Sequence, residues 1–112
     1  MEKKIILLKY QKENGKRPFD EWYAGLDFSI AVKVDARLTR LMDEGHLGDS
    51  SILKGADNVI ELRFHIGPGY RIYCHRDGKN IVLLLCGGSK KKYKIDAQKA
   101  AGFWRDYMAR KR

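Results

Sequence analysis

The chain has 112 residues, 44% of them hydrophobic, and sets 23 lysines and arginines against 14 aspartates and glutamates, a formal net charge of +9. That length supports one domain, residues 1–112, with a single core and no room for a second. The charge points to polyanions such as RNA, DNA or an acidic protein, and no run approaches the ~20 apolar residues a membrane-spanning helix needs.

The first segment, MEKKIILLKY, has one short apolar run, Ile5, Ile6, Leu7 and Leu8, and no small-residue cleavage site, so it reads as a strand over residues 4–10 of a cytoplasmic protein rather than as a secretory leader. A polar connection through Gly15 follows. In RPFDEWYAGL, Pro18 suits a first helical position, and Phe19, Trp22, Tyr23 and Leu26 repeat with helical spacing. A second helix starts at Asp27 or Ser29 as N-cap. Ile30, Val34, Leu38, Leu41 and Met42 form its apolar stripe, Lys33, Arg37 and Arg40 fall on another side, and Gly45 serves as C-cap. After a loop over residues 48–57 come three strands, 59–66, 70–76 and 80–86, joined by GPG and DG turns. Asp96 then caps a last helix with an Ala97, Ala100, Ala101, Trp104 and Met108 stripe and a basic end, Arg110, Lys111 and Arg112. The expected fold is α+β: a small, mostly antiparallel sheet packed against a helical hairpin, in the order β-α-α-β-β-β-α. Cys74 and Cys86 lie in apolar strand runs without CxxC spacing and read as reduced, packed thiols.

Side chains on a strand alternate between faces, so pairing across GPG decides what gathers on each side. A three-residue loop, Gly67, Pro68 and Gly69, sets Ile66 against Tyr70, Phe64 against Ile72 and Leu62 against Cys74 on an apolar face. The other face then pairs His65 with Arg71, Arg63 with Tyr73 and Glu61 with His75. The run NIVLLLC is apolar on both faces and reads as central in the sheet. GGSKKKYKID leaves its end, where Gly87 and Gly88 let the backbone turn or approach a ligand closely. Lys90, Lys91 and Lys92 thereby arrive beside Arg71. With Arg63, His65 and Tyr73 on the same face and Tyr93 nearby, the groove has cations for phosphates and rings for bases, as a single-stranded nucleic-acid site requires. The plainer account is a solvated lysine loop, with Arg71 a structural partner of Glu61 or Asp96.

His46, His65, His75 and the cysteines show no HxxxH or CxxC spacing, and no GxxxxGK[ST] or GxSxG occurs, so no metal site and no cofactor is expected. Chemistry needing only bases and cations is left. RNA supplies its own nucleophile, the 2′-hydroxyl, so a protein cleaves it by placing a base at that oxygen, cations around the transition state and an acid at the 5′-oxygen.

The order β-α-α-β-β-β-α, with FDEWYAGL in the first helix, ELRFHIGPGYRIYC across the hairpin and LLLCGGSKKK after the last strand, resembles the RelE/HigB-like toxins of type II toxin–antitoxin modules. The resemblance is to the phage Gp49-like addiction module killer branch in particular, and it covers nearly the whole chain. It implies an endoribonuclease that cuts mRNA on the ribosome without a metal and is restrained by an acidic, HigA-like helix-turn-helix antitoxin. Carried onto this sequence, the hairpin arginine that stabilises the scissile phosphate corresponds to Arg71, and the basic residue after the last strand to Lys90. Tyr93 and Asp96 are the candidates for acid and base, while Arg63, His65, Tyr73, Lys91 and Lys92 serve RNA binding. Two other functions share the scaffold: poisoning of DNA gyrase, as in ParE toxins, and non-catalytic RNA binding.

Overall fold

The sequence signals for the ends of the first two helices are used where the sequence places them. In a computed structural model describing residues 4–111, α1 runs Pro18–Ala24 with Pro18 in its first turn, and α2 runs Phe28–Glu44 from Asp27 as N-cap residue. Gly45 ends α2 in the left-handed conformation, φ 76°, its N–H bonded to the Leu41 carbonyl at 2.9 Å. The strands are β1 Ile6–Lys9, β2 Ser50–Leu53, β3 Val59–Phe64, β4 Tyr70–Arg76 and β5 Ile81–Ser89, and α3 spans Tyr93–Arg110. Met1, Glu2 and Lys3 of the opening segment and Arg112 of the basic end lie outside the described residues.

The five strands form one mixed sheet, β1-β5-β4-β3-β2, with β1 parallel to β5 and the other neighbours antiparallel. The α+β class is as expected; β5 is flanked on both sides, by β1 and β4, but the central place expected of it is taken by β4. β2 is a correction: it lies within the segment expected to be loop, pairs with β3 at one sheet edge, and is followed by a 3₁₀ turn, Lys54–Ala56. Four residues with no alternating pattern give little strand signal, and pairing with β3 supplies the stabilisation that local propensity lacks.

The hairpin register is also corrected. Phe64 pairs with Tyr70, Arg63 with Arg71, Leu62 with Ile72, Glu61 with Tyr73 and Ile60 with Cys74. Pairing thus slides two residues from the expected one, and His65 leaves the ladder. The cause is a tight turn within the loop: the Gly69 N–H bonds the Ile66 carbonyl at 2.9 Å, with Gly67 and Gly69 both at positive φ. A slip of two keeps every side chain on its face.

On one face, Ile60, Leu62, Phe64, Ile72, Cys74, Val82 and Leu84 meet Phe19, Val34, Leu38 and Leu41 of α1 and α2. The opposite face is not an open polar floor. Val59, Tyr73, Leu83, Leu85 and Cys86 are buried there under Ala97, Ala100 and Ala101 of α3, whose small side chains let the helix approach closely. A bulge between Tyr73 and Cys74 puts Leu85 and Cys86 together against α3. His75 stacks on Trp104 at 3.6 Å between ring centroids, and Met108, expected in the stripe, is exposed. β5 itself continues through Gly87 and Gly88 rather than turning there. A Cβ on Gly87 would overlap the Trp22 indole, and one on Gly88 the Asp96 carboxylate. Both glycines serve close approach.

Candidate functional site

The β3–β4 hairpin and the end of β5 converge at one end of the sheet. Arg71 pairs with Gly88 and Tyr70 with Ser89, and the Lys90 N–H bonds the Gly69 carbonyl at 3.1 Å, so the lysine turn Lys90–Lys92 lies on the GPG turn. Gly69 is needed there. It sits at φ 89°, and a Cβ would come within 3.0 Å of the Lys90 Cβ. Arg71 and Lys90 are therefore neighbours. Lys90, Lys91, Lys92, Tyr93 and Lys94 are exposed in succession.

Arg71 is buried, only 7% exposed, and so are Glu61, Tyr73 and Asp96 beside it. The Arg71 Nε stands 3.6 Å from Glu61 Oε2, and its Nη1 donates to the Tyr70 carbonyl at 3.2 Å. Nε is buried and makes no hydrogen bond. Buried donors are almost always satisfied, and here the anion facing Nε is the Glu61 carboxylate, just beyond hydrogen-bond distance. Asp96 lies in the first turn of α3, three residues into a helix whose N-cap residue is Lys92, so it is not the cap the sequence suggests. Its carboxylate lies over Gly88, the residue opposite Arg71. It also lines a concavity of about 320 Å³ with Lys12, Glu21, Lys99 and Phe103.

Glu61 joins this cluster to a second arginine. Its Oε1 accepts from Arg63 Nη1 at 3.3 Å, while Arg63 donates to Asp49 Oδ1 from Nη2 at 2.8 Å and to Ser51 Oγ from Nη1 at 2.5 Å. His65 completes the group, with Nε2 2.5 Å from Asp49 Oδ2. Hydrogen bonds from Arg63 and then His65 hold the Asp49 carboxyl well below its usual range, at about 2. The sequence reading placed Arg63 and His65 in the groove. Here Arg63 is engaged by Asp49, Ser51 and Glu61, and His65 Nε2 by Asp49.

Tyr73 is fully buried and donates from its hydroxyl to the Tyr93 carbonyl at 3.3 Å, so its ring offers no stacking surface. Burial, then the charges of Glu61 and Asp96, push its phenol up, which keeps it protonated. The Cys74 and Cys86 thiols are unpaired, and burial pushes each up to about 12. They are packed thiols, not nucleophiles. Among the described residues, no group of three or more His, Cys, Asp or Glu side chains could hold a metal ion, and no helix is long and apolar enough to cross a membrane.

Sequence reasoning missed Asp49, Lys12, Glu21 and Lys99, and named Glu61 only as a strand neighbour or a plain partner of Arg71. The signal for Glu61 was available: an acid alternating with apolar residues in a strand needs a buried partner. Asp49 and the lysines come from distant segments and carry no local signal.

Fold and site together define a small basic α+β domain with an arginine–carboxylate cluster under one helix and a lysine-rich turn at its rim. Residues 21–101 match the phage-derived protein Gp49-like family. The chain belongs to that family, which is associated with the toxins of toxin–antitoxin modules. It is similar to an uncharacterized protein of Haemophilus influenzae, 36% identical over 83 residues that span 73% of this chain and 81% of the relative.

Proposed function

We propose that the chain is the toxin of a type II module of the RelE/HigB-like kind, acting in the cytoplasm as a metal-independent endoribonuclease on mRNA, with the ribosome presenting the substrate. One observation carries the reading: the buried Arg71, ion-paired with Glu61, stands opposite Gly88, over which the Asp96 carboxylate lies, and adjoins the exposed lysine turn. In the reaction the 2′-oxygen attacks phosphorus and its proton passes to the Asp96 carboxylate. Arg71 and Lys90 stabilise the added negative charge. The bond to the 5′-oxygen breaks, and that oxygen takes a proton from an acid at the rim, where Tyr93 stands. The products are a 2′,3′-cyclic phosphate and a 5′-hydroxyl. Lys91 and Lys92 hold the strand, and an acidic helix-turn-helix antitoxin restrains the toxin.

A second reading draws on the Arg71–Glu61 pair: a guanidinium already matched by a carboxylate suits a non-catalytic RNA-binding module. RNA cleavage with and without ribosomes, in chelator, separates the two. Cyclic-phosphate ends are expected. Intact RNA under both conditions would sink the ribonuclease, and inhibition of DNA gyrase supercoiling instead would favour the ParE-like alternative.

A further inference from the structure

Outside the cluster, the first two turns of α3 and the Lys54–Ala56 turn enclose a groove of about 580 Å³ lined by Leu53, Lys54, Ala56, Tyr93, Ala97 and Gln98, among others. Leu53, Ala56 and Ala97 give it an apolar floor continuous with the core under α3. Tyr93 is 46% exposed at its side, and the Lys94 ammonium lies 5.9 Å from the centre of that ring. Gln98 Nε2 donates to the Gly55 carbonyl at 3.0 Å across the groove. None of the lining residues is acidic.

We propose that this groove takes a nucleobase of single-stranded RNA, stacked on Tyr93, while Lys54 and Lys94 hold the adjoining phosphates. It rests on the ribonuclease reading for the identity of the strand. The chemistry is that of a flat apolar ring on an anionic backbone: an apolar floor and an exposed aromatic side chain for the ring, and a cationic rim without acids for the phosphates. Continuity with the cluster supports one strand reaching both places, because the exposed lysine turn Lys90–Lys92 beside the hairpin runs directly into Tyr93, which lines the groove. Tyr93 acts here through its ring, and its hydroxyl is dispensable for holding the base.

The test is fluorescence anisotropy with a short labelled RNA carrying 2′-O-methyl groups throughout, which the protein can bind and cannot cut. Tyr93→Ala should weaken binding by about tenfold, the scale of one lost base–aromatic stack, and Tyr93→Phe should stay within about twofold of wild type. Lys54→Ala should weaken binding and lower the slope of log affinity against log salt by about one. Equal affinity of wild type and Tyr93→Ala, or no binding of this RNA by wild type, would overturn the proposal. So would groove variants that keep RNA affinity and release the antitoxin, since the groove would then dock protein. Groove-dependent binding by a wild type that cleaves no natural RNA would retain the groove and refute the ribonuclease alone.

Discussion

Arg71 is held from two sides, by the Tyr70 carbonyl at Nη1 and by Glu61 beside Nε, which leaves the Nη2 end of the guanidinium for substrate. Arg71→Ala should lower mRNA cleavage about 10²-fold or more, the scale of removing one charge-stabilising donor, and RNA binding less. The side chain does not project freely from the sheet, and its loss leaves Glu61 with Arg63 alone, so unfolding should be measured on the same variant. Equal toxicity of wild type and Arg71→Ala at equal expression would refute the role. Glu61→Gln should also slow cleavage, and the double variant should be no slower than Arg71→Ala, because Glu61 acts through the arginine. Asp49 makes a separate prediction in acid. Its pKa is lowered from 3.8 to about 2 in the folded chain, so its contribution to stability is fully present above 3.8 and is lost as pH falls through 2. Asp49→Asn should flatten acid unfolding over that window, followed by circular dichroism, and an unchanged profile would count against the Arg63–Asp49–His65 group.

At the scale of elements, β5 carries both helical layers on adjacent residues. Gly87 lets the Trp22 ring of α1 rest on one face, and Gly88 lets Asp96 of α3 rest on the other. Gly87→Ala should therefore destabilise the fold by about 1–3 kcal/mol, as overpacking does, and less in a Trp22→Ala background. Urea titration of the four proteins measures the coupling, and a cost independent of Trp22 would reject it. The lysine turn divides differently. Lys90 is packed on Gly69 beside Arg71, while Lys91 and Lys92 extend into solvent. Each alanine variant should reduce RNA or ribosome association in a salt-dependent way, but only Lys90→Ala should slow single-turnover cleavage on saturating ribosomes. Uniform losses that low salt rescues in all three would assign the whole turn to binding.

For the whole molecule the net charge of +9 on 112 residues is the dominant property. It favours rapid encounter with an acidic partner and with ribosomal RNA, both weakened by salt. α2 and α3 present Lys33, Arg40 and Arg105 on their exposed sides, where, on the proposed function, an antitoxin would dock without covering Arg71. Co-expression with the adjacent gene should yield a co-purifying complex and relieve toxicity. A chain that is harmless alone and captures no neighbour would leave RNA binding without toxicity as the better account.

What the sequence determined by itself is local. Helix starts and stops followed from Pro18, Asp27 and Gly45, and alternation in ELRF and YRIYC sorted the hairpin's faces correctly even though its register slid by two residues, because a slip of two preserves parity. The convergence of Arg71 with the lysines was likewise legible, since an antiparallel β4–β5 pair must bring Gly88 and its successors to the hairpin's turn. Tertiary structure decided the rest. β2 exists because β3 offers it an edge, and the polar face is closed because Val59, Leu83 and Leu85 share it and need α3 as a cover. Burial by that helix made Arg71 a desolvated cation matched to Glu61. No pattern in the chain reveals this, because burial depends on which distant surfaces come to share one core.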